Sequence, residues 1–254
     1  MGERIKVTKL TDRIYLMDDA GESTGYLVVG DEKALVIDTM NGYEDVNEVV
    51  KSITDLPIIV ANTHGHGDHV LGNVYFEEAY MHPDELQVLE LFIHNPEFIA
   101  DCEKYGLKMS AFKELFGGEV IDLGGEQVDV IHVPGHTKGG LCFLAREERV
   151  LFTGDAINRF LWMQLDHSLS MKELVASLEN IMYVKEKADK ILHGHAVGYE
   201  DISLLEELCN AAKDLVAHPQ LAETDEDYNW FGGVDKKHVY SDGKVICYSV
   251  DKLK

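Results

Sequence analysis

The chain begins with short runs dominated by apolar residues: "RIYLMD", "GYLVVG" and "KALVIDT", divided by Gly and Asp. β-Branched and aromatic runs of this length, bounded by turn formers, predict strands. "YEDVNEVVKSI" changes the period, with Val46, Val49, Val50 and Ile53 recurring at helical spacing. "PIIVANT" is apolar without alternation and predicts a buried strand. The first third therefore reads as the start of a strand–helix–strand sandwich. Between 83 and 116 the pattern turns helical. "DELQVLELFI" and "NPEFIADCEKYGLKMSAFKELF" carry Leu86, Leu89, Ile93, Phe98, Phe112 and Phe116. The expectation is a helical insertion beside the core.

Strand patterns return in "EVIDL", "VDVIHVPG", "GLCFLA" and "RVLFTGD". "SMKELVASLENIMYV" predicts a helix whose Ser170 and Glu173 have capping-box spacing. "KILHGH" is a strand-to-loop step, and "LLEELCNAAKDLVAH" a further helix. "HVYSDGKVICYSV" predicts a hairpin turning at Asp242–Gly243. No repeat or linker interrupts the chain. It reads as one domain, 1–254, with the insertion at 83–116 and a C-terminal extension at 218–254.

Composition adds bounds. Hydrophobic residues make up 45% of the 254, as in ordinary globular proteins. No apolar run approaches the roughly 20 residues of a membrane span, and the first 15 residues lack a signal-peptide core. A cytoplasmic protein without membrane contact is expected. The four cysteines form no C-x-x-C pair and read as small buried residues. A net charge of −23 makes nucleic acid a poor partner.

The candidate chemistry sits in "NTHGHGDHVLGN", after the apolar run "PIIVA". Glycines alternate with the histidines, which disfavours a helix, and the spacing differs from the i, i+4 pair of helical zinc motifs. A loop gathering imidazoles and a carboxylate around a metal accounts for both features, with Gly65 and Gly67 allowing tight turns at positive φ. Other candidates follow predicted strands: His136 in "HVPGHTKGG", Asp155 in "LFTGDA" and His195 in "ILHGHAVG".

On these residues the sequence resembles the metallo-β-lactamase fold hydrolases. The signature H-x-H-x-D-H is matched by His64, His66, Asp68 and His69. The later motifs are matched by His136, Asp155 and His195, and an early strand-end aspartate by Asp38. The resemblance covers about residues 10–200. It implies an α/β fold, a four-layer αβ/βα sandwich. It implies one metal on His64, His66 and His136, a second on Asp68, His69 and His195, and Asp155 bridging them. Two divalent ions per chain are expected, zinc foremost, with manganese and iron also suited to such donors. The implied reaction is hydrolysis of a small-molecule ester, lactone or thioester by a hydroxide shared between the metals, with Asp68 as the catalytic proton acceptor. Alternatives are an iron-based redox protein of this fold, whose flavodiiron members usually carry glutamate where His66 stands, and a non-catalytic binding module.

Asp38, Thr63 and Thr137 flank ligand loops, where they could hold the outer N–H of ligating histidines. The segment 156–167 reads as a pocket wall, with Phe160, Trp162 and Arg159 as substrate contacts, or as a packed connection. "YNWFGG", 228–233, reads as a packing anchor or as a segment folded over the site. His132 and His193 read as structural, and His82 as a strand end or helix start, or as a residue at the site's edge. His94, His167, His218 and His238 read as surface residues. The insertion is placed to roof the metals or to mediate contacts in a homodimer.

Overall fold

A computed structural model describes residues 4–254. Two large sheets face one another. The first has seven strands in sequence order, from Ile5–Lys9 to Ala111–Glu114. Its first four strands pair antiparallel, and the pairings from Ala34–Ile37 onward are parallel. The second has six strands, with Val150–Gly154 beside and parallel to Lys190–His193.

The period-two alternation of a strand decides which residues go where. In Ala34–Ile37, Leu35 and Ile37 enter the core between the sheets, with Tyr26, Phe143 and Phe152. Ala34 and Val36 face the other way, against Val46 and Val50 of the helix Val46–Lys51. The second sheet repeats the arrangement. Phe143 points inward, while Cys142 and Leu144 pack outward against Leu174 and Leu178 of the helix Met171–Asn180 and Leu205 and Leu208 of Ser203–Ala217. Strands covered on both faces need apolar residues at every position, which explains the unbroken run "ALVI". The layers are αβ/βα. The Ser170 capping box is present, and Asp242 and Gly243 both turn the C-terminal hairpin at positive φ.

Two expectations need correction. Helix does not run through 116: it stops at Tyr105, where Gly106 takes φ 68° and Leu107 N–H donates back to Cys102 O. Ala111–Glu114 then forms the edge strand of the first sheet, paired with Glu78–Met81. The second correction is a third sheet. Phe160–Met163 pairs parallel with Lys244–Tyr248, and Gly233–Tyr240 and Glu226–Trp230 complete four strands. Cys142, Cys209 and Cys247 are buried and all four thiols are free. No helix among the described residues is long and apolar enough to cross a membrane.

Candidate functional site

The two sheets deliver their strand ends to one rim. Asp38 follows Ala34–Ile37, residues 62–69 follow Ile58–Ala61, Asp155 follows Val150–Gly154, and His195 follows Lys190–His193. His136 stands in the loop after Gln127–His132. The His-rich stretch is part loop and part helix: Gly67–Val70 form one helical turn with His66 at its N-cap. Neither Gly65 nor Gly67 has a positive φ. Their value is close approach. A Cβ on Gly65 would lie 2.6 Å from Glu85 O, and one on Gly67 2.9 Å from the Phe92 ring.

Outer partners orient each imidazole. Asp38 holds a left-handed backbone, φ 59°. Its carboxylate accepts from Thr63 N–H and the Thr63 hydroxyl, both 2.7 Å, and from His69 Nδ1, 2.8 Å. With its proton committed to Asp38, Thr63 Oγ1 accepts from His64 Nδ1 at 2.9 Å. His136 Nδ1 donates to Trp162 O at 2.6 Å, and His195 Nδ1 to Glu22 O at 2.8 Å. These four rings therefore all turn Nε2 inward. His66 is reversed. Its Nδ1 points inward, and its Nε2 lies 2.6 Å from His167 Nε2.

Inside, His66 Nδ1 lies 3.0 Å from His64 Nε2 and 3.1 Å from His136 Nε2. Burial, followed by neighbouring imidazoles, holds His64 and His66 well below the usual histidine range, and burial also lowers His136. Three neutral rings with outer N–H groups already committed present three lone pairs to one point, and a cation is what can satisfy them. Asp155 completes this group, while Asp68, His69 and His195 make a second. Asp155 Oδ2 lies 3.2 Å from His195 Nε2, 3.7 Å from His69 Nε2 and 3.8 Å from His136 Nε2. His69 Nε2 and Asp155 Oδ1 are buried with no hydrogen-bond partner among the described residues. Gly194 leaves room for both: a Cβ there would sit 2.4 Å from the His69 ring and 2.6 Å from Asp155 Oδ1.

The second group carries a different charge. Asp155 is the main cause raising His195 to about 9, and Asp68, Asp155 and Asp38 lift His69 above the usual range although burial opposes them. A histidine raised in this way contributes stability that is full below its unfolded pKa, about 6.5, and is lost as pH rises through the folded value. The chelator-treated protein should therefore show a falling unfolding temperature between pH 6.5 and 9. A thermal-denaturation series in chelator checks this, and a rise across that window would contradict it.

Glu85 was not legible as part of the site. It is fully buried, and its Oε2 accepts from Gly65 N–H at 2.8 Å while Oε1 accepts from Gly139 N–H at 2.6 Å. One carboxylate thus ties the His64–His66 loop to the loop following His136. Burial pushes its carboxyl up, and the two amides oppose that. Glu85→Ala leaves two buried N–H groups unpaired at about 1–3 kcal/mol each. Denaturant unfolding should show a loss of roughly 2–5 kcal/mol. An unchanged midpoint would make the tie dispensable.

His167 is the main correction among the histidines. It is no bystander on the surface: it lines the cavity beside His66. Its turn is clamped from both sides. Ser168 Oγ donates to His136 O at 2.8 Å, and Lys252 Nζ donates to the carbonyls of Leu165, Asp166 and Ser168. His193 lines the cavity too, accepting from His195 N–H, whereas His132 stacks on His82 with ring centroids 4.6 Å apart. Asp38 and Thr63 reach the cluster. Thr137 Oγ1 is buried with no hydrogen-bond partner among the described residues.

The cavity over the donors measures about 700 Å³. Phe160 and Trp162 line it, as do Phe92, Leu165, Val197, Tyr228 and Phe231. The segment 228–233 therefore bounds the site. Arg159 also lines it, but its guanidinium is engaged by Glu200 at 3.0 Å.

Comparison with known proteins agrees with this geometry. A family model described as the metallo-beta-lactamase superfamily matches residues 18–195. The chain is 27% identical over 216 residues to the acyl-coenzyme A thioesterase MBLAC2 of Gallus gallus, covering 73% of this chain and 76% of that protein. It is 29% identical over 141 residues to an atrochrysone carboxyl ACP thioesterase of Claviceps purpurea (strain 20.1), covering 54% of this chain and 40% of that protein. Among solved structures, a metallo-beta-lactamase family protein from Thermus thermophilus superposes with a TM-score of 0.63 at 20% identity, covering 87% of this chain and 86% of that one.

Proposed function

The chain belongs to the metallo-beta-lactamase superfamily of hydrolases, and from that premise we propose that it is a metal-dependent hydrolase of small-molecule acyl thioesters. The observation carrying the metal dependence is the convergence of His64 Nε2, His66 Nδ1 and His136 Nε2, whose outer nitrogens all have partners. His64, His66 and His136 would hold one divalent ion and Asp68, His69 and His195 a second, with Asp155 shared; imidazole and carboxylate donors suit zinc. Such ions supply an acidified water and a Lewis acid for the acyl carbonyl.

The chain's own groups do the rest. Asp68 is partly exposed at the floor of the cavity, with Oδ2 3.6 Å from His69 Nε2 and 3.7 Å from His195 Nε2. It would accept the proton of the attacking water and hand it to the leaving group. A thiol, with a pKa near about 8.5, leaves readily as its anion and demands little of that acid. Buried His64, His69 and His136 keep fixed orientations through Thr63, Asp38 and Trp162 O, so the donors need not reorganise during the reaction. The apolar wall above them fits an acyl group. Thioester cleavage is supported by both thioesterase relatives.

A panel on one eight-carbon skeleton tests this reading: the N-acetylcysteamine thioester and the ethyl ester of octanoic acid and the γ-lactone of 4-hydroxyoctanoic acid, with a β-lactam alongside. The thioester should show a kcat/KM at least about tenfold above the others, a difference of about 1.4 kcal/mol in transition-state stabilisation. Preferred cleavage of the lactam or lactone, with the thioester untouched, would overturn it.

A further inference from the structure

The third sheet builds an aromatic wall that neither the donor cluster nor protein packing accounts for. Phe160 and Trp162 come from one edge strand of that sheet, and Tyr228 and Trp230 from the other. Their rings meet across its face: Phe160–Tyr228 at 5.6 Å, Trp162–Tyr228 at 6.0 Å and Trp162–Trp230 at 6.1 Å. Phe231, at the hairpin tip, lies 6.2 Å from Trp162 and 5.5 Å from Trp230. Gly232 makes that tip, because a Cβ there would fall 2.2 Å from the Trp230 ring.

The wall is open at its outer end: Phe231 is 93% exposed and Phe160 42%, and Val197, which lines the same cavity, is fully exposed. Isolated apolar residues on a surface need no explanation, but a contiguous apolar face opening onto a reactive centre marks a binding site. The charge of the lining narrows the ligand. Arg159 is the one lysine or arginine there, and Glu200 already occupies its guanidinium at 3.0 Å. The face beside it offers aromatic and aliphatic surface, so an apolar group is what lies on it best. Its depth runs down to Asp155 and His136, whose Nδ1 is held by Trp162 O on the wall strand itself. The ligand therefore has an apolar body ending in the group that reacts.

We propose that this wall, Phe160, Trp162, Tyr228 and Phe231, is the seat of an extended aliphatic acyl chain, so that the protein selects medium- to long-chain acyl groups. The inference rests on the thioesterase reading and deepens it, but its test does not depend on turnover. The only two tryptophans in the sequence are Trp162, which lines the cavity, and Trp230, whose ring lies 6.1 Å from it, so intrinsic tryptophan emission reports on the wall and the ring packed beside it.

The probes are non-hydrolysable S-alkyl N-acetylcysteamine thioethers with chains of four, eight and twelve carbons, titrated into the metal-loaded protein. Emission should shift to the blue, and affinity should rise about three- to fourfold per methylene until the cavity is filled. Phe231→Ala, at an exposed position, should weaken binding of the twelve-carbon probe about tenfold and that of the four-carbon probe far less. Affinity independent of chain length, or an emission spectrum unmoved by saturating twelve-carbon probe, would overturn the proposal. Chain-length dependence without thioester hydrolysis would leave the wall standing and remove the thioesterase reading. Hydrolysis without chain-length dependence would do the reverse.

Discussion

Replacing Asp155 with alanine should empty both metal positions together and lower kcat/KM on a thioester by more than about a thousandfold. Its carboxylate lies close to both groups, with Oδ2 3.2 Å from His195 Nε2 and 3.8 Å from His136 Nε2. Two divalent ions about 3.5–4 Å apart repel by on the order of 15–20 kcal/mol at an effective dielectric of about 20. Carboxylates between and beside them offset that repulsion, and the variant retains only Asp68 for the purpose. Partners beyond the ligands are worth about 10–100-fold in metal affinity, so a shared ligand should exceed that. Elemental analysis of metal-replete wild type and variant provides the check. Two ions per chain in both proteins would refute the shared role, and one ion in each would refute the dinuclear reading.

His167→Ala should lower metal affinity by about 10–100-fold while the protein stays folded. His66 is the ring that turns Nδ1 inward, and this orientation requires its outer Nε2–H to have an acceptor. His167 Nε2, at 2.6 Å, is that acceptor. Without it, His66 can flip or take the other tautomer, and the three-nitrogen convergence is lost. His167→Gln, which offers a carbonyl oxygen, should recover part of the affinity. Competition against a chromophoric chelator gives both numbers. Equal affinities in wild type and the alanine variant would show that His66 is fixed by other means.

These two residues also mark the boundary of what the sequence discloses. Asp155 was legible because its signal is local: a carboxylate at the end of an apolar strand, as with His136, His195 and the His64–His69 cluster. His167 was not, because its partner His66 lies 101 positions away and its own neighbours carry no pattern. Glu85 was hidden for the same reason, its two amides standing 20 and 54 positions distant. The strand–helix–strand start of the sandwich could be anticipated from short apolar runs and the helical spacing of Val46, Val49, Val50 and Ile53, and its four layers from the family resemblance. The third sheet could not, because Phe160–Met163 pairs with Lys244–Tyr248 across the helices and strands between them. "YNWFGG" accordingly stayed open between an anchor and a cover. Helix was expected through Phe116 because Phe112 and Phe116 continue an i, i+4 spacing. Gly106 at positive φ ended it, and pairing with Glu78–Met81 claimed the segment as strand. The pairing of Arg159 with Glu200 was hidden in the same way, the two standing 41 positions apart.

Central to the proposed function is that the converging histidines and aspartates hold the ions that drive thioester cleavage. Its most direct test is thiol release from an octanoyl thioester by one protein preparation in three conditions: as purified, after exhaustive chelation, and after zinc is restored. Release is expected in the first, its loss in the second and its return in the third. Undiminished release by protein shown by elemental analysis to be free of metal would contradict it.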